Sequence, residues 1–406
     1  MEYYTRKLNN GIRYIHVPTD RYVAHLSVII NSGTRDELEH EHGIAHFIEH
    51  VIFKGTQKRK AYHIISRMED VGGELDAFTS KEDTVVYSSF LKQHFDRAAD
   101  LLSDILINSS FPEKELKKEK EVVLDEINSY YDSPSEQIYD DFENKIFKGH
   151  HLGHHILGNE ESLKRFSKKD IKAFIERTYN TDKMVICSIG DLPFSKLEKT
   201  IDKYFGLIKE NKRTWKRTEF KTYQPFDIHE NANNHQAHCV VGNIAYDSFS
   251  EKRKALLLLN NIIGGPGLNS RLNLALREKH GWVYNIESNY AQYADVGLWS
   301  TYFGSDKRNF NKVLKGLRSE LSKISEVRMG PKQLEKAKQQ IIGQMAMASE
   351  NNQEMLVGIA KSYMLYDKLD SFEKIKETVN SISATQIQEV ANEVFSIEKL
   401  STYAYI

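Results

Sequence analysis

Laid over itself, the chain runs through one order of strands and helices twice, and this duplication limits the fold more than any other feature. In the first half the alternating YVAHLSVIINSG is followed by a helical stretch, then VVYSSF, then the amphipathic HFDRAADLLSDIL. The second half repeats the order as QAHCVVGNI, KRKALLLLNNII, GLWSTYF and NFNKVLKGLRSEL. Apolar positions of the last helix match at a single offset, Phe95, Leu102 and Leu106 recurring 215 residues on as Phe310, Leu317 and Leu321. One helical face repeated at one offset predicts two copies of one α+β unit. At 406 residues the chain is also too long for one ordinary core. Between the copies, KENKRTWKRTEFKTYQPFDIHENANN is polar, basic and aperiodic, which reads as a solvated linker running over the surface. The expected domains are residues 1–208 and 229–406, joined by 209–228.

Charge narrows the function. Basic residues number 56 and acidic ones 57, for a formal net charge of -1, so no overall field recruits nucleic acid or an anionic membrane. The opening MEYYTRKLNNGIRYIHVPTD lacks the apolar run of a secretion signal, and no later stretch approaches the ~20 apolar residues of a membrane span. A cytoplasmic chain is expected. Cys187 and Cys239 each sit inside an apolar strand-like run and are expected to be reduced core residues.

The segment GIAHFIEHVIFKG carries the chemistry. His46, Glu49 and His50 are spaced three and four apart, with apolar Ile44, Phe47, Ile48 and Val51 between them, so all three share one helical face. Two imidazoles so placed converge on one cation while the carboxylate reaches a water bound to it. Catalytic zinc takes three protein ligands and keeps a fourth position open, so a further donor is needed from another element. The charged helix EKELKKEKEVVLDEINSYY offers Glu119 and Glu126, two turns apart on one side, and spacing alone does not choose between them. His40 and His42 lack a helical phase that converges on the metal. His150, His151, His154 and His155 stand in a glycine-punctuated segment expected to be a surface loop.

HFIEH followed by VIFKGT resembles the signature of the pitrilysin, insulysin and mitochondrial processing peptidase family, whose motif inverts the usual zinc-peptidase order. In that family the third ligand is a glutamate about 76 residues beyond the second histidine, in a helix reading roughly E-x-x-V-V-L-x-E. Here EKEVVLDE ends on Glu126, so the resemblance makes Glu126 the ligand and Glu119 a supporting carboxylate. Similarity continues along the chain. VGGELDAFTSKEDTVVY resembles the family's substrate-binding edge strand, implicating Asp76, Ala77, Phe78 and Thr79, with Asp76 standing where many relatives carry Asn. GGPGLNSRLNLALREKHGWVY resembles the glycine-rich loop and the Arg/Tyr pair that completes the active site, which would be Arg277 and Tyr284.

The resemblance implies two α+β domains, each an antiparallel-rich sheet flanked by helices. It also implies one zinc ion per chain, Glu49 as the base, and an endopeptidase acting on unstructured or leader peptides. Larger relatives fuse four domains, so a two-domain chain is expected to pair into a closed chamber, as a homodimer or with a related chain, and to supply Arg277 and Tyr284 to its partner's zinc. A non-catalytic, substrate-presenting subunit is the competing expectation, and the intact HFIEH with Glu126 argues against it.

Overall fold

The computed structural model describes residues 2–232 and 235–406. It divides into two compact units. The first takes the chain up to Asn128, His154–Arg217 and Met347–Ser371, and the second takes Ser129–Gly153, Thr218–Ala346 and Phe372–Ile406. The boundary at Arg217 falls inside the expected linker. Unlike contiguous halves, however, each unit includes one segment from the other half of the sequence.

In the first unit β1 (Tyr4–Lys7), β2 (Arg13–Pro18), β3 (Val23–Ile30), β4 (Glu74–Thr79), β5 (Thr84–Leu91) and β6 (Met184–Gly190) form a sheet ordered β1-β2-β6-β3-β5-β4. Every pairing is antiparallel except β2 with β6. Side chains alternate along each strand, so Leu26, Val28 and Ile30 of β3 enter the core under the helices Ile44–Val51, Phe95–Ile107 and Phe194–Phe205. Ile29, with Val85, Val185 and Cys187, faces the other way. That second apolar face needs a cover, and the helix Asn352–Tyr366 supplies it with Leu356, Ile359 and Tyr363.

The second unit has the same plan. Its strands β7 (Asp227–Glu230), β8 (Gln236–Ala245), β9 (Val283–Gln292), β10 (Gly297–Asp306) and β11 (Ser401–Tyr405) are ordered β7-β11-β8-β10-β9, again with one parallel pair, β11 with β7. The turn Lys92–His94 and helix Phe95–Ile107 recur as Lys307–Asn309 and Phe310–Glu326, and Phe310, Leu317 and Leu321 are buried as the repeat requires. Here the helix Pro134–Ile146 covers the far face, through Ile138, Phe142 and Ile146 against Val240, Tyr302 and Tyr403. Each half thus lends one helix to the other half's sheet. Cys187 and Cys239 are buried free thiols. Among the described residues no helix is long and apolar enough to cross a membrane.

The expected surface linker is irregular but not merely solvated. Between Phe205 and Asp227 no helix or strand forms, yet Trp215 donates from Nε1 to the Arg177 carbonyl at 3.2 Å, and the Arg217 side chain is only 12% exposed. Charge-assisted hydrogen bonds to buried acceptors hold it, a pattern a run of basic letters does not disclose.

Gly43 begins the helix Ile44–Val51 at φ 90°, and a Cβ added there would lie 2.5 Å from the Gly158 Cα. Gly43→Ala is therefore expected to cost about 2–5 kcal/mol, from left-handed backbone strain plus overpacking. Thermal unfolding checks this, and an unchanged midpoint would show that the close approach is not required.

Candidate metal centre

The helix Ile44–Val51 is only eight residues long, so its position comes from its surroundings rather than from its own hydrogen bonds. Ile44, Phe47, Ile48 and Val51 anchor it in the core. At its N-terminus the buried Glu37 carboxylate accepts from the Gly43 and Ala45 amides at 2.9 and 3.0 Å, filling the place of a cap. Burial raises the Glu37 pKa well above the carboxylate range, against the pull of those two amides.

With the helix so fixed, His46 and His50 stand edge to face at 4.7 Å between ring centroids. Glu126 reaches them from the helix Glu113–Tyr131, 3.7 Å from His46 Nε2 and 3.2 Å from His50 Nε2. Donor atoms of these three residues all lie within 4.8 Å of one another, the one such cluster of three among the described residues. A tetrahedron with metal–ligand bonds of about 2.0–2.1 Å has edges of about 3.3–3.4 Å, so the 3.2 Å from His50 to Glu126 Oε2 matches one edge for a zinc ion, while the 3.7 Å to His46 is from the other carboxylate oxygen. The chemistry of the set suits it too. Burial, aided by the charge of His50, holds the His46 pKa down at about 4, so its ring is neutral and its lone pair free. At His50 burial opposes the charged ring, but Glu126 and Glu119 outweigh it and raise the pKa. The His50 hydrogen bond in turn lowers Glu126.

Glu119, which spacing could not separate from Glu126, meets the opposite nitrogen. Its Oε1 lies 3.2 Å from His50 Nδ1, while Lys54 Nζ holds its other oxygen at 2.7 Å. Lys54 went unnoticed in the sequence, although it stands four residues beyond His50. The two histidines are unequal, since the buried His46 Nδ1 has no hydrogen-bond partner.

Glu49 is half-buried beside the cluster, and burial raises its pKa, with Thr79 and His50 opposing and Glu126 and Asp76 reinforcing. The helix Ile44–Val51 packs against β4, which forms the outer edge of the first sheet. Of the residues expected to meet substrate, Ala77 is buried on the helix side, and Asp76 is exposed. Asp76 accepts from the Ala77 amide and from the Tyr87 hydroxyl, each at 2.8 Å. Phe78 meets the Tyr87 ring edge at 6.5 Å, and Thr79 ends the strand opposite Thr84.

The histidine-rich segment is not the surface loop expected. His150 is buried, with Nε2 on the Thr218 carbonyl at 3.0 Å, and His151, His154 and His155 are half-buried. His154 packs on His42 at 4.8 Å. A compact 3-10 turn, His151–Gly153, folds these rings inward.

Arg277 and Tyr284 belong to the second unit. Arg277 is exposed on a π-helical turn, Asn273–Glu278, and Tyr284 is exposed on β9, the edge of its sheet, donating to Asp306 at 3.0 Å. In this unit the helix that follows the long central strand, Arg253–Gly264, reads RKALLLLNNIIG and has no histidine or carboxylate to offer a metal.

Residues 14–160 match the family described as Insulinase (Peptidase family M16), and residues 165–341 match one described as Peptidase M16 inactive domain. The chain is similar to an uncharacterized zinc protease, YmxG, of Bacillus subtilis, at 31% identity over 95% of this chain and 94% of that one. It is similar to the mitochondrial-processing peptidase subunit beta of Caenorhabditis elegans, at 26% identity over 96% of this chain and 86% of that one. A protease from Helicobacter pylori shares the fold, with a TM-score of 0.91 at 21% identity over 100% of this chain and 99% of that one.

Alanine at His46, His50 or Glu126 is expected to strip zinc from the chain. Glu119→Gln leaves all three donors in place and should weaken zinc affinity by about 10- to 100-fold, the usual effect of losing a carboxylate that orients a ligating histidine. Competition with a chelator measures this, and wild-type affinity in Glu119→Gln would remove Glu119 from the centre.

Proposed function

We propose that this chain, which belongs to the insulinase family of peptidases (M16), is a zinc-dependent endopeptidase that cleaves unstructured peptides with Glu49 as its general base. The convergence of His46, His50 and Glu126 beside Glu49 carries the reading. Bound zinc would supply Lewis acidity, polarising the scissile carbonyl and acidifying a water. Glu49 takes the proton from that water and passes it to the leaving amine, so that neither hydroxide nor amide anion is released free. A carboxylate whose pKa is raised by burial is suited to both halves of that transfer.

β4 holds the peptide. As an edge strand it can extend its sheet by one strand, giving main-chain hydrogen bonds without regard to sequence, which favours chains already unfolded. Arg277 and Tyr284 offer a guanidinium and a phenol for the scissile carbonyl oxygen. In this reading two chains pair, each lending its Arg/Tyr unit to the other's zinc. Likeness to a processing-peptidase subunit leaves the partner as a second copy or a related chain.

Glu49→Gln should keep its zinc yet lose at least about 100-fold in peptide turnover, because the ligands remain and the base is gone. Undiminished turnover would mean that another group activates the water. A mixed dimer tests the pairing. One chain carries Glu49→Gln, the other Arg277→Ala with Tyr284→Phe, and about half of wild-type activity should return at the one site free of lesions. A mixed dimer as inactive as its parents would rule out sharing between chains.

A further inference from the structure

The loop that leads from β3 into the helix Ile44–Val51 and the tip of the β4–β5 hairpin are tied together by backbone bonds. Thr34 and Arg35 donate their amides to the Ser80 and Lys81 carbonyls at 3.2 and 2.8 Å, and Thr84 Oγ1 donates to the Ser32 carbonyl at 2.8 Å. A Cβ on Gly33 would lie 2.3 Å from the Ser80 oxygen, so the two segments touch through main chain. A third segment locks this junction from far along the sequence. Arg217 donates from Nε and Nη2 to the two Asp36 oxygens at 2.8 and 2.7 Å, a bidentate pair on a carboxylate with no exposure. Its Nη2 also donates to the Glu82 carbonyl at 2.8 Å and to the Asn31 carbonyl at 3.3 Å, and its Nη1 lies 3.2 Å from Glu82 Oε1. Arg35 meets the same Glu82 oxygen at 2.6 Å, so two guanidinium groups face two carboxylates.

We propose that Arg217 is a positioning residue for peptide binding. As the last residue of the first unit, it clamps the hairpin tip Ser80–Asp83 to the lead-in of the metal helix and so sets where β4 lies relative to Glu49. The proposal rests on the reading that β4 receives the peptide. It differs from a general stabilising role because the fork grips two backbone carbonyls, of Glu82 and Asn31, as well as charge. Lysine keeps the charge but cannot reproduce that planar, multidentate grip.

Arg217→Lys is therefore the informative variant, with Arg217→Met as the more disruptive companion. In Arg217→Lys, zinc content should stay at the wild-type level and KM for an unstructured peptide should rise about tenfold, with kcat within about threefold, the pattern expected when ground-state binding alone is weakened. Amide hydrogen exchange across Glu74–Asp83 should quicken while β3 and β6 stay protected. A folded Arg217→Lys protein with unchanged KM, or with unchanged exchange over Glu74–Asp83, would overturn the clamp. If Arg217→Met fails to fold, the lysine variant still decides the matter. If the wild-type chain cleaves no peptide, the proposed function fails, and the exchange measurement separately tests the clamp.

Discussion

Eight residues carry both histidines and Glu49, the proposed base, and a helix that short does not hold its own position in water. Every property of the centre depends on how Ile44–Val51 is fixed. Its apolar side is sunk in the first core, its N-terminal amides are met by the buried Glu37, and Gly43 lets it start against the Gly158 backbone. Only then do the imidazoles face the Glu126 carboxylate at separations that one metal ion can bridge.

The two units show what a duplicated fold can do with a single plan. The second sheet, β7-β11-β8-β10-β9, repeats the order β2-β6-β3-β5-β4 of the first, which adds β1 beyond β2, and both end in an exposed edge strand, β4 in one and β9 in the other. Chemistry has been distributed unequally between them. The first unit places three potential metal ligands and a carboxylate beside its edge, whereas the corresponding helix of the second is filled with leucine and asparagine, and its distinctive polar residues, Arg277 and Tyr284, stand exposed. This fits a family in which the second domain is described as inactive.

Much of the centre was legible because a helix turns a spacing of three and four into one face. His46, Glu49 and His50 followed from letters alone. Glu126 and Glu119 did not separate on that ground, since periodicity gives the side of a helix and not its distance from a neighbour. The structure distinguishes them by which nitrogen of His50 each one meets. The exchange of the helices Pro134–Ile146 and Asn352–Tyr366 was hidden for a related reason, because an apolar stripe announces burial without naming the sheet that buries it. Arg217 looked like one more solvated base, its partners Asp36 and Glu82 being remote in sequence. The inward folding of His150 to His155 was likewise invisible, because composition does not report packing.

In the proposed function one zinc ion is held by two histidines of one short helix and a glutamate of another. Anomalous diffraction at the zinc absorption edge, from crystals of the full chain, tests it most directly. One peak per chain is expected, within about 2.0–2.2 Å of His46 Nε2, His50 Nε2 and a Glu126 oxygen. A peak held instead by other residues, such as His42 with His154, or a zinc at His46 and His50 that Glu126 does not reach, would contradict it.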